Sequence, residues 1–404
     1  MGFVNRNVTI LFATTFIMGV VASFTSWFLP VYLERYGALE LVVIVYTFAN
    51  LIAIVPTFAG GVLSDILGRR TLILVSTFLY SVSFAALLVA NPLVVASAAI
   101  VLMLAAALIY TPETALLGES VDSSRVGTVF SYFRFLSAVA TAIGSFVLGY
   151  VSTYMGIEML IVLCILTSIV CLALRFFLKE TGVKLGGAGV LKETLKQLKY
   201  AGYAFRTPLF MILGVAIVVV GVGAGVFSVY FPIFLSRSLG FSDVEIGTIF
   251  AASSLVSAVA FTFVGFIVDK LGWLKSFIAA LSVEGALILA FSATSALTLP
   301  GATVLLTAML LYASLALFSA IDQVAGDRML IDVTRRETRG TIIASLASLA
   351  LLSRVPAPLI GAAVATRGGF QASIAAASAS YFAGALLLML ILRRFAHEAR
   401  VSRI

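Results

Sequence analysis

Histidine occurs once in this chain of 404 residues, at His397, and cysteine twice, at Cys164 and Cys171. One histidine leaves no imidazole cluster for zinc or haem and no His-based general acid or base in the body of the chain. The two cysteines stand seven residues apart in one apolar run, about 10 Å along a helix and too far for a disulfide. Charge is scarce too, at 11% of residues, against roughly 25% in a soluble domain. What is abundant is hydrophobic sequence, 62% of the chain. A bilayer-spanning helix takes about 20 apolar residues, so the composition provides for roughly twelve spans and excludes a large enzyme domain outside the membrane. The expectation is a non-enzymatic chain with no cofactor and no metal.

Apolar runs between charge and Gly/Pro punctuation predict twelve spans: 8–33, 41–60, 71–90, 93–115, 128–151, 156–178, 208–236, 244–267, 274–294, 300–326, 340–365 and 370–392. The first run is too long for a signal-peptide core and is read as a permanent span. The formal charge of +8 suggests nucleic acid only until it is mapped. With the N-terminus inside, the odd-numbered connections carry Arg35, Arg237 and Arg367, Arg134 and Arg354 fall well inside spans, and the other 21 of 26 basic residues, counting Arg175 and Lys275 at the inner ends of their spans, lie on the inner side. That asymmetry follows the positive-inside rule. It predicts a multi-pass protein of the plasma membrane with cytoplasmic termini, surrounded by lipid and without a nucleic-acid partner.

The sixth connection, about 179–207, is the longest, and it contains Gly186-Gly187-Ala188-Gly189. After it, Leu191, Leu195 and Leu198 share one helical face while Lys192, Lys196 and Lys199 add positive charge, which fits either a helix lying on an anionic membrane or a solvated linker helix. The predicted domains are a six-helix bundle over 1–178, this cytoplasmic linker over 179–207, a second six-helix bundle over 208–394 and a tail over 395–404. The halves repeat. Trp27 to Leu33 matches Val229 to Leu235, Gly61 to Gly68 matches Gly265 to Gly272, and Ile143 to Gly149 is similar to the stretch ending at Gly361.

The connection between spans 2 and 3 reads Gly61-Val62-Leu63-Ser64-Asp65-Ile66-Leu67-Gly68-Arg69-Arg70. Two six-span halves and this run together resemble the major facilitator superfamily of secondary transporters, over essentially the whole chain. The motif departs from the usual form at Ile66, where a basic residue is common; its second copy keeps Asp269 and Gly272 but has Trp273 in place of Arg69. The resemblance implies an all-α integral membrane fold of twelve transmembrane helices in two pseudo-symmetric bundles. It also implies that Asp65 latches onto the start of span 11, around Gly340-Thr341, and holds the cytoplasmic side closed. Gly61 and Gly68 suit sharp turns. Arg69 or Arg70 has acidic candidates in Glu119 and Asp122, and Lys270 or Lys275 in Asp327 or Asp332; such pairs are individually weak and suit a gate that must open.

Among the ionisable residues inside spans, five stand out: Glu113, Arg134, Glu284, Asp322 and Arg354. Intramembrane charges are functional candidates by default. Glu284 and Arg354 lie near the midplane, where substrate sites of this fold are expected. Arg354 precedes Val355-Pro356-Ala357-Pro358, so it either binds an anion at a bent helix or serves as a structural counter-ion to Glu284. Glu113 and Asp322 stand 209 residues apart, as the repeat requires, and the resemblance places both on cavity-lining spans. One of Glu113, Asp322 or Glu284 is the candidate proton carrier, with Arg134 able to lock Glu113 as an ion pair. Trp27, Tyr110 and Tyr230 are candidates for stacking on substrate or for packing.

These features predict a monomeric, proton-coupled transporter that moves a small molecule by alternating access. The substrate reading is export of an amphipathic drug or metabolite. The alternatives are transport of small organic or inorganic anions centred on Arg354, and import of a sugar or other nutrient, for which the spans supply few Asn or Gln. Span 5 lacks the Gly-Pro-x-x-Gly-Gly run and span 4 the central Arg of drug/proton antiporters.

Overall fold

The computed structural model describes residues 5–89, 91–122, 125–181, 208–296, 300–333 and 339–401. Among them are helices and no strands. The linker helix predicted over 191–199 lies outside the described residues, as do the side chains of Gly61, Asp65, Gly340, Thr341 and His397. The proposed Asp65 latch is therefore left to the sequence.

Among the described residues, ten helical segments are long and apolar enough to cross a membrane. Two of these hold two spans each, which gives twelve. In Leu29–Leu67 the helix breaks at Gly37 and Ala38, and Ala38 takes a positive φ of 58°. In Ala357–Val401 it breaks at Gly369, with φ 75°. A left-handed residue cannot continue a right-handed helix, so each break ends one span and starts the next with no loop. The remaining spans are Arg69–Leu87, Pro92–Glu119, Val126–Tyr154, Ile157–Arg175, Pro208–Arg237, the pair Asp243–Ala260 and Val264–Leu271, Trp273–Thr294 and Gly301–Val333. Gly68 and Gly272, at φ 93° and 83°, make the corresponding one-residue turns before spans 3 and 9. That equivalence is the repeat of the sequence seen in the backbone.

Span 1 is not one regular helix. Arg6–Ile17 stops at Met18, Gly19–Ser23 follows, and Phe24–Phe28 winds as a π-helix before Pro30. Pro30 lacks the amide that a regular ladder would use, which favours a wider turn ahead of it. Span 11 is likewise interrupted, between Arg339–Arg354 and Ala357–Val401, at Val355-Pro356.

The chain divides into two compact units, Met1–Val190 with Pro232–Val259, and Leu191–Phe231 with Ala260–Ile404. Within the first unit, span 5 is gripped on two sides through glycine. A Cβ on Gly19 or Gly144 would strike the Ala140 or Gly19 carbonyl across the crossing of spans 1 and 5. A Cβ on Gly149 or Gly247 would strike the Asp243 or Ser145 carbonyl at the crossing of spans 5 and 8. Such small-residue contacts are how helices associate in lipid, where apolar burial between them gains little. Within the second unit, Gly221, Gly223 and Gly225 of span 7 play that part against Ser353, Ser380 and Ala357. Cys164 and Cys171 are buried free thiols.

Candidate functional site

Two buried polar centres stand at matching places in the repeat. In the first unit Arg175, at the end of span 6, is 1% exposed. Its Nη2 donates to Glu113 Oε1 at 2.8 Å, its Nη1 to Thr77 Oγ1 at 2.7 Å and its Nε to Thr14 Oγ1 at 3.2 Å. Tyr80 of span 3 neighbours both charges. A guanidinium in apolar surroundings is tolerable when its donors are satisfied and its charge is matched, as here. A cavity of about 150 Å³ opens beside the pair, bordered by Met18 and Gly19 of the broken span 1 and by Ser137 and Thr141 of span 5.

In the second unit Glu284 of span 9 is 3% exposed and lies beside Asp322 of span 10. The Ser319 hydroxyl hydrogen-bonds the Glu284 carboxyl, whose Oε2 finds no partner among the described residues. Tyr381 of span 12, buried, neighbours Glu284, Asp322, Tyr312 and Arg354. Tyr312 stacks on Phe231 at 4.7 Å, and Phe231 meets Phe291 edge-on at 4.8 Å, closing this side with aromatic carbon. Arg354 is the last residue before the break in span 11, and it is exposed.

Glu284 follows Tyr80 by 204 residues, Asp322 follows Glu113 by 209, and Tyr381 follows Arg175 by 206. These offsets match the drift of the repeat, so the same three spans of each half build both centres. The chemistry differs. The first centre pairs one carboxylate with a fixed guanidinium; the second sets two carboxyls together, with a phenol in the place of the guanidinium.

Sequence reasoning identified Glu113, Glu284, Asp322 and Arg354 but missed Arg175, Tyr381 and Tyr80. Arg175 had been counted with the basic residues beyond the membrane. The signal was present in Phe176-Phe177-Leu178, three apolar residues after it that carry the span onward. Arg134 is exposed, and the cation facing Glu113 is Arg175. Of the aromatic candidates, Trp27 is fully buried and stacks on Phe250, Tyr230 donates its hydroxyl to the Pro358 carbonyl at 2.6 Å, and Tyr110 is exposed.

At the even-numbered connections Arg69 pairs with Glu119. Glu180 accepts the backbone amides of Arg69 and Arg70 at 3.0 and 3.1 Å, capping the N-terminus of span 3. Arg70 Nη2 donates to the Phe176 carbonyl at 2.8 Å. In the second unit Asp269 faces Arg328 at 3.8 Å, both well exposed, and Lys270 is exposed as well.

At the odd-numbered connections the first unit holds a tighter arrangement. Arg35 grips Asp243 with both nitrogens, at 2.9 and 2.7 Å, and Ser152 Oγ donates to the same carboxylate at 2.6 Å. Arg237 reaches Glu34 at 2.8 Å, the two side chains 49% and 13% exposed, against 31% and 7% for Arg35 and Asp243. Removing Arg35 strands a buried carboxylate, whereas removing Arg237 breaks a more open pair. Thermal unfolding is expected to show Arg35→Ala costing roughly 3 kcal/mol and Arg237→Ala no more than about 1. Equal losses would contradict the assignment of Asp243 as the anchored anion.

A family model described as Major Facilitator Superfamily matches residues 11–295 and again 213–403. Among curated protein sequences none matches. Similar solved structures include the nucleoside transporter NupG, at 13% identity and TM-score 0.77 over 96% of this chain and 99% of that one. A POT peptide transporter in complex with sulfate is similar at 14% identity and TM-score 0.78, covering 96% and 94%. The human organic anion transporter MFSD10 (TETRAN) is similar at 18% identity and TM-score 0.65, covering 95% and 99%. At such identities the likeness establishes the fold alone.

Proposed function

Since the chain belongs to the major facilitator superfamily of secondary transporters, we propose that it moves a small molecule across the plasma membrane by alternating access, coupled to protons held at Glu284 and Asp322. The observation that carries this reading is the acidic pair itself, Glu284 buried and Asp322 half-buried as neighbours. Two neighbouring carboxyls repel when both are ionised, which favours one proton held between them. A site that is dry in one state and wet in the other can take up that proton and let it go. The Glu113–Arg175 pair matches a carboxylate with a guanidinium, and this reading assigns it no coupling proton. The reading places the termini in the cytoplasm, on the positive-inside asymmetry, and involves no covalent chemistry.

For the substrate, the apolar and aromatic composition of the spans favours an amphipathic drug or metabolite carried outward. A second reading, transport of a small organic anion, is favoured by Arg354, an exposed guanidinium at a helix break beside the acidic pair's phenol neighbour. A thermal-unfolding screen against lipophilic cations, organic anions, nucleosides, dipeptides and sugars separates them, because a ligand at a hundred times its Kd stabilises by about 2.7 kcal/mol. The drug reading expects stabilisation by lipophilic cations that survives Arg354→Gln. The anion reading expects stabilisation by organic anions that this substitution removes.

A further inference from the structure

We propose that the cavity beside Glu113 and Arg175 is a binding site for an uncharged hydroxyl or carboxamide group, the polar end of the transported molecule. The site stands on the geometry of the first unit alone. Its use in transport rests on the transporter reading above and adds to it the place where that molecule is held.

At about 150 Å³ the cavity has room for about five waters of roughly 30 Å³ each, or for a polar group of similar size. Five helices of the first unit border it, with Thr15 on span 1, Tyr80 on span 3, Glu113 on span 4, Ser137 on span 5 and Arg175 on span 6. Polar atoms left over from the packing gather on this wall. Arg175 donates to Glu113 Oε1 at 2.8 Å, and Oε2 has no hydrogen bond among the described residues. The Tyr80 hydroxyl has none there either, although Tyr80 is only 6% exposed. The same holds for the hydroxyls of Thr15 and Ser137. None of these four atoms is sealed off. By contrast Thr14 and Thr77, which do not border the cavity, are committed to Arg175 at 3.2 and 2.7 Å.

Charge decides what fits. Glu113 and Arg175 already balance one another, so an ammonium or a carboxylate entering the cavity would bring a charge with no counter-ion into a place poor in water, which is costly. An apolar group would leave Oε2 and the hydroxyls unpaired. What remains is an uncharged group with a donor for Glu113 Oε2 and an acceptor for the Tyr80 hydroxyl, whatever charge the rest of the molecule carries; a hydroxyl or a carboxamide supplies both. Water does the same in the empty site, and a group that reproduces its hydrogen bonds can replace it without loss. The backbone agrees with this use. Span 1 is interrupted at Met18, which borders the cavity, and irregular backbone at membrane depth is tolerated where it lines one.

Four six-carbon probes test the site: 1,2-hexanediol and hexanamide, both uncharged, against hexylammonium and hexanoate. Equilibrium binding of each labelled probe is measured on the full-length protein in lipid nanodiscs and corrected with empty nanodiscs. The two uncharged probes are expected to bind about tenfold more tightly than either ion. Tyr80→Phe keeps the ring and removes one hydroxyl; Ser137→Ala removes another from a different helix. Each is expected to weaken the uncharged probes by up to about tenfold, the value of one hydrogen bond, with circular dichroism checking that both are folded. The variant with Glu284→Gln and Asp322→Asn is expected to bind them as the wild type does. No binding above empty nanodiscs, ions bound as tightly as the uncharged probes, or uncharged probes unaffected by either hydroxyl substitution overturns the site and leaves the cavity to water, with the proton pair untouched. Binding with the expected preferences in a protein that shows no counterflow of any compound keeps the site and removes the transport reading.

Discussion

Proteoliposomes containing Glu284→Gln are expected to exchange substrate across the bilayer and to accumulate none of it when a pH gradient is imposed. The amide fills the volume of the carboxyl and keeps an oxygen for the Ser319 hydroxyl, so the fold and the conformational cycle survive. What it lacks is a place for the proton. With one proton per substrate molecule, a gradient of one pH unit supports roughly a tenfold accumulation, about 1.4 kcal/mol, and that drive is lost. Asp322→Asn is expected to behave alike, since the pair works as a unit. Glu113→Gln removes an ion pair from the other half and is expected to retain accumulation in whatever protein folds. A Glu284→Gln variant that accumulates substrate like the wild type would remove the acidic pair from the mechanism.

The largest expected change in stability is at Arg175. Arg175→Met leaves Glu113 buried without its cation and releases Thr14 and Thr77 from their hydrogen bonds. Breaking one side of a buried ion pair costs about 3–5 kcal/mol, while replacing both sides by uncharged groups of similar volume is often close to neutral. Thermal unfolding in detergent is therefore expected to show a large loss for Arg175→Met and recovery of most of it when Glu113→Gln is added. Failure of the second substitution to recover stability would mean that Arg175 acts through Thr14 and Thr77, joining spans 1, 3 and 6, rather than through its charge. The cavity of about 150 Å³ beside the pair gives the unpaired carboxyl of the single variant room for water, which sets the loss toward the lower end of that range.

Much of this was legible in the sequence because a bilayer allows few backbone solutions. Apolar runs near twenty residues, Gly68 and Gly272 at the turns, and the matched Glu113 and Asp322 follow from hydropathy and from internal repetition. The turns at Ala38 and Gly369 escaped as structure because one left-handed residue leaves almost no compositional mark, and alanine is not a residue that announces it. The partners within each centre were hidden for a different reason. Arg175 meets Glu113 across 62 positions and Tyr381 meets Glu284 across 97, and hydropathy within one span cannot tell which face of it meets which neighbour. Tyr381 in particular sits among Ala, Ser and Gly in span 12 and reads as filler until the helices are assembled. The Arg35–Asp243 grip has the same character, since it joins the end of span 1 to the start of span 8.

The central claim is that substrate and protons cross together, and following both at once tests it most directly. Wild-type proteoliposomes loaded with a pH-sensitive dye are given, one at a time, the organic anions, lipophilic cations, nucleosides, dipeptides and sugars of the screen, and each compound is scored for counterflow and for a change of internal pH. Any compound that exchanges is predicted to carry protons with it when no internal substrate is present, and to stop doing so in the variant with Glu284→Gln and Asp322→Asn. A compound that exchanges and crosses down its own gradient without moving protons would contradict the account.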